Sequence, residues 1–130
     1  MPLEGVKTLP GAGTVDHSQS QPFDLERALE YLDGDRELFR TLVEAFIEEA
    51  SCQTKEIWDG LQRADARAVT RAAHTIKGSA GNFAAPRTVE LAHRVEVLAR
   101  EGRLEELPVA VADLAQALDS LTQALRRAAA

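Results

Sequence analysis

The stretch AHTIKGSAGNFAA, from Ala73 to Ala85, has the apolar spacing of an amphipathic helix in a chain of 130 residues. Two glycines, Gly78 and Gly81, lie inside this predicted helix. Each interior glycine costs a helix about 1 kcal/mol relative to alanine. Because the chain is otherwise rich in alanine, the glycines indicate that the surface beside His74 must stay open.

On a helical wheel, His74 points away from the apolar face of this helix. At about 100° per residue, the apolar side chains fall roughly 160° to 260° from His74. They are Val69, Ala72, Ala73, Ile76, Ala80 and Phe83. Gly78 and Gly81 lie on the His74 side, so no side chain covers the imidazole one turn further along. We therefore expect that another molecule can approach the ring closely.

Basic residues surround His74, although the chain has a formal net charge of -6. Arg67 shares its face of the wheel, and Arg71 and Lys77 lie on the two flanks. A local positive potential favours an anion, and the free nitrogen of a neutral imidazole is a nucleophile toward phosphorus. A phosphoryl group fits these features best, with Lys77 near its oxygens. For Arg67 and Arg71, simple solvation of the helix surface stays open as an alternative.

Composition excludes several other classes of protein. Aromatic residues make up only 5% of the chain, and Ala, Leu, Glu and Arg dominate, which is typical of a small all-helical protein. The single cysteine, Cys52, excludes an internal disulfide, and no Cys/His spacing of a metal site occurs. The negative charge disfavours binding to nucleic acid or to a membrane surface. No apolar run reaches the roughly 20 residues of a membrane helix. We expect a soluble, cytoplasmic monomer.

Two segments are predicted. Residues 1–21 mix Gly, Pro, Ser and Gln without a helical or strand period, so we predict a disordered tail. Residues 22–130 have helical periodicity, interrupted only by short turn and capping signals. These signals are Asp24, Asp33, Gly34, Asp65, Pro86 and Gly102. They divide the domain into one short helix and four long ones.

The apolar spacing of the long helices predicts how they pack. The first long helix is expected to bury Leu38, Leu42 and Phe46, and the second to run to about Ala84. The last has a seam of aliphatic residues at alternating spacings of four and three: Leu107, Val111, Leu114, Leu118, Leu121 and Leu125. Short connections favour antiparallel neighbours. The predicted fold is all-α, an antiparallel up-down-up-down four-helix bundle with the short first helix covering one end.

The run HTIKGSAGN, from His74 to Asn82, closely resembles the signature of histidine-containing phosphotransfer (HPt) domains of bacterial phosphorelays. The resemblance extends from about Phe23 to Leu125, because the helix order also matches. It implies that His74 accepts a phosphoryl group through Nε2, that Lys77 helps to hold this group, and that Gly78 provides access. Ala84 departs from the pattern, since many members have Gly there, and the departure concerns the loop geometry.

The resemblance also implies a role for the following helix. Members of the family often place a Glu or Gln there that accepts a hydrogen bond from the other ring nitrogen, and Glu96 occupies that position. His93 and Arg100 lie about one turn to either side of Glu96, so they are candidates for lining the same cleft together with Gly81. A zinc site of His74, His93 and Glu96 is a weaker alternative, because no HExxH or closed four-ligand set is present. We expect no metal site.

The predicted function is that of a phosphorelay carrier. His74 takes a phosphoryl group from a receiver-domain aspartate of a hybrid sensor kinase and passes it to the aspartate of a response regulator. We expect no enzymatic kinase activity, because the chain lacks a nucleotide-binding loop, and no bound cofactor. Mg²⁺ is expected to come from the partner receiver domain. The alternative is a helical docking module for a receiver or a kinase, whose histidine is never phosphorylated.

Overall fold

The computed structural model describes residues 21–130, so residues 1–20 of the predicted tail lie outside the described part. Five helices follow one another: α1 (Leu25–Glu30), α2 (Arg36–Gln62), α3 (Ala66–Gly81), α4 (Pro86–Arg100) and α5 (Leu107–Ala129). Residues 21–130 contain no strand. The helix pairs α2/α3, α3/α4, α4/α5 and α2/α5 are in contact, which closes a ring of four helices. The predicted all-α four-helix bundle is therefore confirmed.

The helices begin where the sequence provides a cap or a proline. Asp24, Asp35 and Asp65 each accept a hydrogen bond of 3.0 to 3.1 Å from the backbone N–H three residues later, at the starts of α1, α2 and α3. α4 and α5 have no capping side chain and instead carry a proline in the first turn. None of the helices in the described part is long and apolar enough to span a membrane.

The core runs through the centre of the bundle, and of the three residues that α2 was expected to bury, Phe46 is buried and Leu42 is partly buried, but Leu38 is not. Leu38 is 41% exposed, whereas Phe39 is 1% exposed. The expectation that Leu38 is buried is therefore wrong. The reason is an aromatic cluster, in which the Phe39 ring lies 6.4 Å from the Phe23 ring and 6.0 Å from the Phe83 ring. The area of apolar surface that Phe39 buries exceeds that of Leu38, so Phe39 determines the rotation of the helix.

The segment before α1 closes one end of the bundle. Phe23 is buried in the core, and the backbone N–H of Asp24 donates a 3.0 Å hydrogen bond to the carbonyl of Ala84. This bond ties the start of α1 to the connection between α3 and α4. The short helix thus covers the end at which α3 finishes, as the sequence predicts.

α3 ends at Gly81, three residues before the predicted end at Ala84. Ala84 has a φ of 55°, in the left-handed region, where a helix cannot continue. Ala64, which follows α2, has the same φ and completes a Schellman motif, because Asp65 N–H donates to Gly60 O and Ala64 N–H donates to Leu61 O. Both positions are ones that glycine usually occupies.

Gly60 is buried and permits a close approach between α2 and α3. A Cβ atom at Gly60 would lie 2.9 Å from Cγ2 of Val69 and 3.3 Å from the carbonyl oxygen of Asp65. The Asp65 carbonyl belongs to the turn and cannot yield easily. This contact sets the spacing at which α3, the helix that carries His74, packs on α2.

Candidate functional site

His74 lies on the outer face of α3, and its side chain is 67% exposed. Its neighbours at positions 72, 73 and 76 are buried, so the amphipathic pattern of α3 directs the imidazole outward. Nδ1 of the ring lies 2.9 Å from Oε2 of Glu96, which comes from the adjacent helix α4. The ring is therefore held at one nitrogen and open to solvent over most of its surface.

Glu96 is the centre of the site. Its side chain is only 3% exposed, although it carries a carboxylate. Arg100 Nη2 donates a 2.7 Å hydrogen bond to Oε2, the oxygen that also accepts from His74. Lys77 Nζ lies 2.7 Å from Oε1 as an ion pair, although Oε1 accepts no hydrogen bond of good geometry. One buried carboxylate thus holds cationic groups from two helices.

The cationic neighbours keep Glu96 ionised. Burial alone would raise the pKa of this carboxyl group, but the close approach of Lys77, His74 and Arg100 outweighs burial and lowers the pKa from 4.5 to about 2. Near neutral pH Glu96 is therefore a carboxylate that only accepts hydrogen bonds.

The ionised Glu96 determines the tautomer of His74. Because the carboxylate has no proton to donate, the proton of the 2.9 Å hydrogen bond is on Nδ1 of His74. In the neutral ring Nε2 is then unprotonated and keeps its lone pair. This nitrogen is the nucleophilic atom of the site.

His93 is the second histidine near Glu96. Lys77 Nζ lies 3.5 Å from Nδ1 of His93, at the outer limit of a hydrogen bond, and Nδ1 can accept from the ammonium only while it carries no proton. Oε1 of Glu96 lies 3.9 Å from the same nitrogen. Of these two neighbouring histidines, His74 is the one whose Nδ1 is held by a close hydrogen bond to the carboxylate.

The surface beside His74 is uncrowded. Gly78 and Gly81 are exposed, and a Cβ atom at either position would find no other atom within 4 Å outside its own helix backbone. No group within residues 21–130 needs glycine at these positions for its own packing. The open space faces outward, where an incoming molecule would approach the ring.

Arg67 and Arg71 lie outside the Glu96 cluster. Both are exposed on the first half of α3, and neither forms an ion pair with Glu96 within residues 21–130. Arg71 acts instead on Asp65, whose pKa is lowered mainly by the hydrogen bond from Ala68 N–H and to a smaller extent by nearby arginines. The structure thus joins His74, Lys77, His93, Glu96 and Arg100, and it leaves Arg67 and Arg71 apart.

Two contacts of the site have no counterpart in the sequence-based prediction. The ion pair between Lys77 and Glu96 depends on the register of α3 against α4, which the sequence does not reveal. The hydrogen bond from Arg100 to Glu96 has a signal, because the two residues are four apart on one helix. No group of His, Cys, Asp or Glu side chains in the described part is arranged to hold a metal ion, so the zinc alternative gains no support.

Comparisons with known proteins identify the family of the chain and its fold. The family model of the Hpt domain matches residues 41–128, which is more than half of the chain. The crystal structure of histidine-containing phosphotransfer protein B (HptB) from Pseudomonas aeruginosa PAO1 is similar over 83% of this chain and 94% of that chain. The TM-score is 0.77 and the sequence identity 21%, so this likeness shows a shared fold. No curated protein matches the chain in sequence. On the strength of the family match, the chain belongs to the Hpt domain family.

Proposed function

We propose that the protein is a phosphorelay carrier in which His74 is the phosphoryl acceptor. The donor is the aspartyl phosphate of a receiver domain in a hybrid sensor kinase, and the final acceptor is an aspartate of a response regulator. Membership of the Hpt domain family supports a general role as a phosphotransfer carrier. The observation that carries the specific proposal is an exposed imidazole whose Nδ1 donates to the buried Glu96 carboxylate.

The transfer exchanges one bond for another. The lone pair of His74 Nε2 attacks phosphorus, the new N–P bond forms, and the P–O bond to the aspartyl carboxylate breaks. The released carboxylate keeps the electron pair of that bond. The ring becomes positively charged while Nδ1 keeps its proton, and the Glu96 carboxylate at 2.9 Å stabilises this charge. Transfer to the response regulator is the same reaction in reverse, with a different aspartate.

The surroundings of His74 suit an acidic partner. Lys77, Arg100 and His93 present cationic or polar groups around the ring, and the side chains of Arg100 and His93 are more than half exposed. A receiver active site is acidic and supplies its own Mg²⁺, so the two surfaces are complementary in charge. The open space at Gly78 allows the partner's backbone to come close to Nε2. Arg67 and Arg71, which extend the basic surface along α3, add to the attraction during the encounter.

The test is phosphoryl transfer from a receiver domain. A purified receiver carrying labelled aspartyl phosphate and Mg²⁺ is mixed with the wild-type protein, and acid-labile, base-stable phosphate on the protein is measured over time. We expect label on the wild type, label on His93→Gln at the end point of the reaction, and none on His74→Gln. The His93→Gln variant removes the other histidine near Glu96, so label on this variant and none on His74→Gln assigns the phosphoryl group to His74.

Two outcomes would contradict the proposal. A wild-type protein that binds the receiver but never acquires phosphate would be a docking module. Labelling that persists in His74→Gln would place the acceptor elsewhere.

A further inference from the structure

Lys77 has two competing tasks if the proposed function is correct. In the structure its ammonium lies 2.7 Å from Glu96 Oε1, and its side chain is 27% exposed, which makes it the less accessible cation of the cluster. A phosphoryl group on His74 Nε2 attracts the same ammonium with about two negative charges. The ammonium that now lies against the buried carboxylate is therefore drawn toward the outward-facing phosphoryl group.

A departure of Lys77 would leave Glu96 Oε1 without a cation at close range. This oxygen is buried and accepts no well-aligned hydrogen bond, and Arg100 already donates to the other oxygen, Oε2. A buried carboxylate oxygen without a partner is unfavourable. The site therefore needs a substitute donor for Oε1 once Lys77 moves.

His93 is positioned to be this substitute. Its Nδ1 lies 3.9 Å from Glu96 Oε1, and its side chain is 58% exposed, so the ring has room to move toward the carboxylate. In the unphosphorylated protein Lys77 Nζ lies 3.5 Å from this Nδ1 and 2.7 Å from Oε1, so the ammonium holds the place that an Nδ1–H donor would take. A neutral His93 with its proton on Nε2 cannot donate to Oε1 through Nδ1. A protonated His93 donates from both ring nitrogens, and its charge pairs with the carboxylate and repels Lys77.

We propose that His93 replaces Lys77 on Glu96 when His74 is phosphorylated, and that it takes up one proton from the solvent in doing so. His93 is then a positioning residue: it releases Lys77 toward the phosphoryl group and keeps the Glu96 carboxylate paired. This proposal rests on the proposed function, because it takes a phosphoryl group on His74 as the attracting charge. Phosphorylation and protonation of His93 thereby favour each other.

The charged groups around His93 come from two helices. Lys77 Nζ on α3 lies 3.5 Å from Nδ1 of His93, Glu96 Oε1 on α4 lies 3.9 Å from it, and by helix spacing Glu90 lies about one turn before His93 on α4. α5, which also packs on α4, forms no ion pair with His93 in the described part. The carboxylate of Glu96 is the one within 4 Å of the ring. A proton added to His93 is therefore stabilised mainly at the oxygen that Lys77 occupies.

The first test uses the unphosphorylated protein and needs no partner. The protonation of the His93 ring is followed by NMR across pH in the wild type, in Lys77→Met and in Arg100→Met. Both variants remove one positive charge that contacts Glu96, but Lys77→Met alone frees Oε1. We expect the proton affinity of His93 to rise about tenfold more in Lys77→Met than in Arg100→Met, the lower end of the range for a charge-assisted hydrogen bond. Lys77 also lies 3.5 Å from His93 Nδ1, so the titration is repeated in Lys77→Met combined with Glu96→Gln. Equal increases in the two single variants, or an increase in Lys77→Met that persists without the Glu96 carboxylate, would overturn the proposal, because removal of positive charge alone would then explain it.

The second test repeats the titration after His74 has been phosphorylated. In the wild type we expect His93 to bind its proton at higher pH than before phosphorylation. In Lys77→Met the change should be smaller, because His93 already has access to Oε1. An equal change in both proteins would show that only the phosphoryl charge acts on His93, and the exchange would be refuted. Failure of His74 to accept phosphate would refute the proposed function, while the first titration would still decide whether Lys77 and His93 compete for Glu96.

Discussion

Glu96→Gln removes the buried charge that joins α3 to α4, and its effect on stability should depend strongly on pH. The pKa of Glu96 is about 2 in the folded protein, against 4.5 as the ordinary value. Because the folded pKa is lower, the ionised group stabilises the fold above about pH 4.5, and this stabilisation is lost as the pH falls toward 2. At about 1.36 kcal/mol per pKa unit, the full contribution is about 3 kcal/mol.

The loss of this stabilisation can be calculated at a pH where the unfolding free energy of the protein can still be measured. At pH 3 the unfolded chain has mostly bound a proton at this position and the folded protein has not, so about 2 of the about 3 kcal/mol are already lost. Glu96→Gln has no such group to titrate. We expect the variant to be about 3 kcal/mol less stable than the wild type at pH 7, and about 1 kcal/mol less stable at pH 3.

The measurement is urea unfolding followed by circular dichroism at both pH values. Glu90→Gln is the matched control, because Glu90 lies exposed on the same helix and forms no ion pair in the described part of the chain. It should follow the wild type at both pH values. If the stability gap between wild type and Glu96→Gln is the same at pH 7 and pH 3, the reasoning about the buried carboxylate is wrong.

Three further predictions concern small residues. Gly78→Gln should slow transfer from a receiver without loss of helical content, because a side chain would occupy the open space beside His74; unchanged rates in stopped-flow transfer assays would contradict the access argument. Gly60→Ala should lower the unfolding free energy by about 1 to 3 kcal/mol, since its Cβ would lie 2.9 Å from Val69 Cγ2. Adding Val69→Ala to the Gly60→Ala protein should recover only part of this loss, because the Asp65 carbonyl oxygen would still lie 3.3 Å from the new Cβ. Ala84→Gly should raise the unfolding free energy by about 0.5 to 1 kcal/mol by relieving the left-handed backbone. Ala112→Gly, at an exposed position in the second turn of α5, should instead lower the unfolding free energy by about 1 kcal/mol, and a gain at both positions would refute the backbone argument.

The helices could be predicted from the sequence because their signals are local. Capping aspartates, prolines in first turns and the leucine seam of the last helix each act within a few residues, and the structure has helices where they predict them. The register of α2 was not predictable from periodicity alone. Leu38 and Phe39 are adjacent apolar residues, and contacts with Phe23 and Phe83, which are distant in sequence, bury Phe39.

The end of α3 at Gly81 could not be predicted from the sequence, for a different reason. Alanine is the best helix former, so Ala84 gives no local sign that it takes a left-handed conformation. That conformation follows from tertiary contacts, including the hydrogen bond from Asp24 to the Ala84 carbonyl. A chain with glycine at this position would have revealed the turn.

Some features of the candidate site could likewise be predicted from the sequence, and others could not. The exposure of His74 and Gly78 follows from the wheel of a single helix, so the sequence was sufficient for it. The ion pair between Lys77 and Glu96 requires the relative register of two helices, and the tautomer of His74 requires distances known to a few tenths of an ångström. Neither can be obtained from residue spacing.

The fixed tautomer of His74 has a consequence for the speed of the relay. The ring is oriented, with its Nδ1 proton directed at Glu96, before any partner arrives, because Glu96 lies within the same domain. No slow rearrangement of the protein therefore has to precede each encounter with a receiver domain. We therefore expect throughput to be governed by how often the two proteins collide in the right orientation, so that it rises in proportion to partner concentration and falls as added salt weakens their mutual attraction.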